Sequence, residues 1–496
     1  MKRKYFYIVF SSTLLILFTL MYEGSYAYFN AFVSSEGDKK TSVTTNVFED
    51  IVISNTSVVS SNNLVPGESV STSFDITNPN NVSVCFDLLW NNVNNTFLSK
   101  NDLVVTLTKN GTEINLSNSI FPSTNDEVLT SLSIKANTTD TYKLTVTYKE
   151  TDKDQSADMK KTFSGIIVGS LKECTLAGYV SELASTDTTN LAIDDYGNTR
   201  YIGANPNNYV SFDGDIWRII GVMKNVDDGS GNKEDRVKII RSTSIGRYLW
   251  DTSESSINSG YGVNEWSQAD LMKLLNPGYE SESVGGSLYW NNQSGTCYNS
   301  SKNGTSSCNF TSKGIKDKLK TLISDAVWNT GSQGTNSWTS ASGGLTKHFY
   351  AYERSSNTGK ICSSGIICND TVERTTTWTG KVGLMYPSDY GYATSGGSTT
   401  DRATCLNTVL NSWGGSSVSD CKNNDWLYNS SSFQWTISPD AYPPGASNAF
   451  YVSSGGFVSD TDACNGNGVR PVVYLTSNVG VQSGDGSSGN PFTLKS

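Results

Sequence analysis

The sequence predicts a mostly β protein whose C-terminal part is α+β. From about residue 46 to 169, apolar and polar residues alternate in short runs between turn formers, the period of half-buried strands. Beyond about residue 200, strand-like runs are joined by two segments with helical spacing. Aromatic residues make up 11% of the chain, including 11 Trp and 25 Tyr, ample material for packed cores although only 17% of residues are charged.

Lys2, Arg3 and Lys4 precede an apolar run over residues 5–21, and Ser25-Tyr26-Ala27 places small residues where a signal peptidase reads. Residues 1–27 are therefore expected to be a signal peptide, and the protein secreted or held at the cell surface. Membrane contact is expected only through an uncleaved form of this segment, which is shorter than the ~20 residues of a span. A net charge of −10 supplies no basic patch for a phosphate backbone, which excludes nucleic acid as a partner.

Residues 28–169 read as a β-sandwich domain. Val70, Thr72, Phe74 and Ile76 share one face, Asn78-Pro79-Asn80-Asn81 makes a turn, and Val82, Val84, Phe86 and Leu88 continue the spacing, which predicts a hairpin. Leu103, Val105 and Leu107 lead into Asn110-Gly111, a pair suited to positive φ in a tight turn. Leu144, Val146 and Tyr148 supply a later strand. The run 24–30, Gly-Ser-Tyr-Ala-Tyr-Phe-Asn, and Asn63-Leu64-Val65-Pro66-Gly67-Glu68 before an alternating strand resemble the TasA and camelysin group of exported biofilm-matrix proteins, over roughly the first 170 residues. The β-sandwich is expected to be jelly-roll or Ig-like; the resemblance implies the jelly-roll form and a route to fibre growth in which a freed strand over residues 28–33 adds to a neighbour, with a monomeric spacer as the alternative.

Residues 170–200 read as a polar linker with one short helix carrying Leu176, Ala177, Val180 and Leu183. Residues 201–496 form the second domain. Tyr209–Phe212 and residues 217–222 flank Asp213-Gly214-Asp215 as a tight hairpin, and residues 236–241 extend the sheet. The run 227–232, Asp-Asp-Gly-Ser-Gly-Asn, lacks the ligand spacing of an EF-hand and reads as a solvated turn. One helix is expected after a Ser267 cap, with Leu271, Leu274 and Leu275 on its face; a second after Ser312 carries Ile315, Leu319, Leu322, Ile323 and Ala326. Residues 347–352 read as strand-like, and 281–312 and 329–377 as long polar surface loops.

The last hundred residues run through Asn424-Asp425-Trp426-Leu427, Trp435-Thr436-Ile437-Ser438-Pro439, Phe450-Tyr451-Val452 and Gly455-Gly456-Phe457-Val458 to Gly468-Val469-Arg470-Pro471-Val472-Val473-Tyr474-Leu475. With the early Trp217-Arg218-Ile219-Ile220-Gly221-Val222 strand, this succession resembles the formylglycine-generating-enzyme-like branch of the C-type lectin fold found in exported gut-bacterial proteins. It implies a C-type-lectin-like domain with polar loop insertions. Oxidase members of that fold use a cysteine pair near the closing strands, where this chain has only Cys464, so their activity is not carried over. Arg470 is expected to pair with a carboxylate such as Asp425.

Export makes the nine cysteines crosslink candidates. Cys297 with Cys308, Cys362 with Cys368, and Cys405 with Cys421 are close in sequence. Cys85, Cys174 and Cys464 remain, and an odd count leaves at least one thiol free or intermolecular. Cys-x-x-Cys spacing does not occur, which argues against zinc and redox chemistry. His348 is the only histidine, so no two-histidine metal site exists and a triad hydrolase is improbable. Asp460 and Asp462, with Asn465 and Asn467, form an oxygen-rich loop and are the candidate calcium ligands; an Asx turn is the competing reading. The expectation is a noncatalytic protein of the cell surface or matrix, with adhesion or biofilm-matrix roles, whose C-terminal head binds glycan or a surface protein without a required cofactor. The alternatives are fibre self-assembly through the N-terminal strand and an enzyme of the related fold.

Overall fold

The computed structural model describes residues 51–495 except 55–57, 63, 80–83, 115, 117, 136, 173, 254–259, 301, 333–335, 357–371, 373, 441–445 and the side chain at 131. The expected signal segment 1–27, the strand at 28–33 and the Cys362 and Cys368 pair lie outside the described residues. The fold is mostly β, with several antiparallel sheets, and the chain divides into two compact units, residues 1–174 and 175–496.

The first unit contains β1 (Val52–Ser54), β2 (Val58–Ser61), β3 (Ser69–Asn78), β4 (Val84–Asn95), β5 (Leu103–Lys109), β6 (Thr112–Ile114), β7 (Val128–Ile134), β8 (Thr138–Tyr148) and β9 (Phe163–Lys172). They form a five-stranded sheet in the order β1-β3-β8-β5-β6 and a four-stranded sheet in the order β2-β9-β4-β7. Alternation buries Tyr142, Leu144, Val146 and Tyr148 of β8 and Phe86, Leu88 and Trp90 of β4 in one core. Asn110 and Gly111 take φ of 50° and 85° between β5 and β6, as their types require.

The hairpin expected from β3 to β4 is not formed: β3 pairs with β1 and β8, and β4 with β7 and β9. The apolar faces of the two strands therefore lie in different sheets and bury into the shared core. Asn78, fully buried, donates its amide to the Ile134 and Lys135 carbonyls. Cys85 and Cys174 are disulfide-bonded across a separation of 89 residues, a loop whose closure is worth about 4–5 kcal/mol in the chain-entropy account.

The second unit begins with the helix Leu176–Leu183, capped by the Thr175 hydroxyl on Gly178 N at 3.1 Å, and this helix packs into the unit's core. Residues 175–200 thus belong to the second compact unit. Its larger sheet comprises β10 (Leu191–Ile193), β11 (Thr199–Tyr201), β12 (Tyr209–Phe212), β13 (Asp215–Asp227) and β14 (Lys233–Arg241). A second sheet uses β15 (Arg247–Leu249). Then come the hairpin β16 (Ser294–Ser300) with β17 (Gly304–Asn309), the pair β18 (Ala326–Asn329) with β19 (Thr377–Gly380), and β20 (Val382–Gly383). The closing strands are β21 (Gln434–Pro439), β22 (Asn448–Val452), β23 (Val458–Asp462), β24 (Gly466–Gly468) and β25 (Val472–Tyr474), followed by the pair β26 (Gly480–Ser483) with β27 (Thr493–Lys495). The larger sheet runs β10-β11-β13-β14-β25-β20 with β12 beside β13, and the second runs β15-β24-β21-β22-β23. The Arg-Pro-Val segment places β25 between β14 and β20. Gly221 is required in β13, since a Cβ there would collide with the Thr199 carbonyl oxygen.

Several local expectations are corrected. Residues 347–352 lie in the helix Thr346–Glu353; Thr346, Phe349, Tyr350 and Glu353 are its buried face, a 3.6-residue period rather than strand alternation. Ile315, Leu319, Leu322, Ile323 and Ala326 are all buried, but only Asp317–Lys320 is helical and Ala326 starts β18. Backbone bonds from Ser324 to Tyr474 and from Thr476 to Leu322 take the chain out of helix there. The helix Asp270–Leu275 follows a 3-10 turn and has Ala269, not Ser267, at its N-cap. Residues 281–312 are no plain surface loop: they hold the β16–β17 hairpin, joined by the Cys297–Cys308 disulfide, with Tyr289 and Phe310 fully buried.

A buried ionic network ties helices to the larger sheet. Arg200 on β11 donates to Asp194 at 2.8 Å and to Asp389 at 2.7 Å, and Lys238 on β14 contacts the other Asp389 oxygen at 2.5 Å. Burial alone would raise the Asp389 carboxyl, but Lys238 and Arg200 outweigh it and hold it low, at about 2. Nearby, Glu353 accepts from the Ser388 N–H and hydroxyl and from Arg354.

Burial raises the Glu353 carboxyl to about 7, against the pull of Arg354 and Ser388. The unfolded chain has an ordinary carboxyl near ~4.3, so between those values the native state holds the extra proton. The group's stabilising contribution is present at low pH and is lost as pH rises through about 7. Glu353→Gln removes this titration and should gain stability relative to wild type, by on the order of 3 kcal/mol at most, between about pH 5 and 8. Urea unfolding at the two pH values measures it; a gap that does not change with pH would contradict the assignment.

Candidate functional site

The second sheet builds a surface cleft of about 520 Å³ lined by residues from both of its ends. Strand alternation makes it. On β22, Phe450 points inward, where Trp338 and Phe349 meet its ring edge-on at 5.3 and 5.2 Å, so Tyr451 is turned to the other face. Tyr451 rests on buried Trp435, with ring centres 6.4 Å apart, and its neighbour on the open side is Phe433 at 5.2 Å and 33°. Phe433 is 43% exposed, an aromatic surface left open to solvent. Trp435 is fixed by its indole N–H on the Tyr248 carbonyl and Trp250 by its own on Thr436, each at 3.0 Å, which locks β15 to β21.

Polar groups converge on this platform from β23, β24, β15 and β16. Asn465 donates to the Thr461 hydroxyl at 2.8 Å, and the Asn299 amide donates to Ser306 across the β16–β17 hairpin. Arg247, opposite Gly468 in the β15–β24 register, donates Nε and Nη2 to the Gly466 carbonyl at 3.0 and 2.7 Å. Asn467 is 3% exposed, yet its Nδ2 has no hydrogen-bond partner among the described residues. A buried amide left without a partner carries a desolvation cost that a bound hydroxyl or carbonyl would remove.

Asp460 and Asp462 are placed differently from the oxygen-rich loop expected for them. Both lie within β23, paired opposite Phe450 and Asn448. Asp460 accepts from the Asn448 amide at 2.5 Å and Asp462 from the Ser447 hydroxyl at 3.0 Å. Because side chains alternate, Thr461 faces the cleft and its two acidic neighbours face away. Asn465 and Asn467 do reach the cleft. Among the described residues no group of three or more His, Cys, Asp and Glu is gathered as metal ligands.

The remaining site residues lie elsewhere. His348 sits in a helix, where its Nδ1 accepts from Leu345 N at 3.4 Å and burial lowers its pKa. Arg470 donates to the Arg241 carbonyl at 2.9 Å and to Gln434 at 3.2 Å instead of to Asp425, whose Oδ2 has no partner among the described residues and whose carboxyl burial raises well above the usual range. Cys405 and Cys421 are disulfide-bonded, and Cys464 is a buried free thiol next to Asn465. Asp251 and Asp270 are neighbouring carboxylates, and burial followed by Asp270 raises Asp251 to about 6. Both are committed to local backbone N–H groups, of Ser253, Val263 and Asp270 for Asp251 and of Thr252 for Asp270. Phe433, Arg247, Asn299 and Thr461 escaped the sequence reading. The one signal for the platform was the inward, outward alternation through Phe450-Tyr451-Val452.

No protein family, curated protein or solved structure matches this chain.

If the Asn467 amide serves a ligand rather than the fold, Asn467→Leu should leave the thermal midpoint of the unliganded protein unchanged within about 2 °C or raise it, because an apolar isostere ends an unmet desolvation cost. Differential scanning calorimetry measures this; a fall of several degrees would assign the amide a structural bond.

Proposed function

We propose that this protein is exported and noncatalytic, with an N-terminal β-sandwich of the TasA and camelysin kind joined to a C-type-lectin-like head that binds glycan. The observation that carries the reading is the pairing of an exposed aromatic surface, Phe433 beside Tyr451, with the amides of Asn299, Asn465 and Asn467 around one cleft. A sugar ring offers an apolar C–H face and a rim of hydroxyls, and that combination of platform and converging donors suits it. Disulfides at Cys85–Cys174, Cys297–Cys308 and Cys405–Cys421 fit an oxidising compartment, and no helix of the described residues is long and apolar enough to cross a membrane. The fibre-forming alternative depends on residues 28–33, which lie outside the described residues.

The test is a glycan array probed with the full chain, produced under oxidising conditions, and with Phe433→Ala. Because Phe433 is already exposed, the variant should keep the wild-type thermal midpoint within about 2 °C while losing about tenfold or more in affinity, the scale of one aromatic contact. Wild-type protein that binds no glycan, or Phe433→Ala that binds as well as wild type, would refute the assignment.

A further inference from the structure

We infer that the sugar taken by this cleft is acidic, its carboxylate held by Arg247; the inference rests on the glycan reading above and narrows it. Arg247 is exposed on β15 and faces no carboxylate among the described residues. The edge of its guanidinium formed by Nε and Nη2 is spent on one acceptor, the Gly466 carbonyl, at 3.0 and 2.7 Å. That contact fixes the plane of the group against β24 and leaves the Nη1 side free. A planar guanidinium held in this way presents parallel N–H donors, the geometry that receives a carboxylate in a bidentate manner.

The charge around it points the same way. The protein carries a net charge of −10, yet the residues lining the cleft include one cation and no acid. The acidic side chains closest in sequence, Asp460 and Asp462, sit on the opposite face of β23 and are engaged by Asn448 and Ser447. A carboxylate entering the cleft therefore meets a positive group already held in place by the backbone and not neutralised by a neighbour. Asn467, whose Nδ2 is buried and has no partner among the described residues, lies one residue beyond Gly466 on the same strand and lines the cleft beside the guanidinium. Phe433 and Tyr451 supply the stacking surface. Anion, polar rim and apolar face are the three features of a uronic or sialic acid, and the cleft has a group for each.

The experiment compares oligosaccharides ending in glucuronate, galacturonate or sialate with their carboxyl-reduced counterparts, titrated calorimetrically into the full chain and into Arg247→Gln. Wild type should bind at least one acidic probe about tenfold or more tightly than its reduced form, the scale of a charge-assisted hydrogen bond, and Arg247→Gln should abolish that preference, binding the acidic and reduced forms within about twofold of each other. Equal binding of acidic and reduced probes, or a preference that survives in Arg247→Gln, overturns the acidic assignment and leaves the glycan reading standing. Failure to bind any acidic or reduced probe, in a protein that also binds nothing on the array, overturns both.

Discussion

The second unit depends on one carboxylate. Asp389, in the first turn of the helix Pro387–Tyr392, accepts from the Tyr386 backbone and receives Arg200 and Lys238 from two strands of the larger sheet. None of these groups reaches water, so each is tolerable only because the others are present; removing one partner of such a cluster costs about 3–5 kcal/mol. Aromatic faces complete the shell, with Lys238 4.1 Å from the centre of the Tyr386 ring. Directional contacts of this kind fix where the helix sits against the sheet, which apolar packing by itself leaves less defined.

That placement reaches the cleft through the same helix. The Tyr390 hydroxyl donates to the Gly456 carbonyl at 2.7 Å, in the turn that joins β22 to β23. The helix Thr346–Glu353, whose Glu353 is bonded to Ser388, presses Phe349 onto Phe450. With Phe450 held inward, Tyr451 has only the outer face to occupy. The ionic network thus orients the strand whose other side forms the aromatic platform, although none of its members touches the cleft. The cleft's polar groups are fixed by the sheet's own backbone, as when Arg247 is held by Gly466 and not by a carboxylate.

Local pattern made much of the architecture legible, because strands and tight turns are written in neighbouring residues. The Asn110-Gly111 and Asp213-Gly214 turns, the β13 and β14 strands and the helix over Leu176–Leu183 all stand where periodicity and turn chemistry put them. Pairing between distant strands was not legible: β3 and β4 look like a hairpin locally and part into different sheets because their partners lie elsewhere in the chain. Apolar spacing over residues 315–326 signalled burial correctly but not helix, since the competing backbone bonds come from residues 474–476. The cleft was least visible of all. Its residues come from positions 247, 299, 433, 451, 461 and 465–467, and only the sheet order brings them together. Asn465 and Asn467 stood out by composition, but the acidic residues beside them pointed to a cation that the strand's alternation turns them away from.

On the reading proposed above, the ligand of this protein enters the preformed cleft on the outer face of the second sheet, which is lined from β15 to β23. Amide hydrogen exchange of the full chain, with and without an oligosaccharide that it binds, tests this most directly because it reports on each strand separately. The account predicts added protection confined to residues 247–249, 448–452 and 458–468, with the first unit unchanged. Protection concentrated in the first unit, or around His348 and the loop at 227–232, would contradict it.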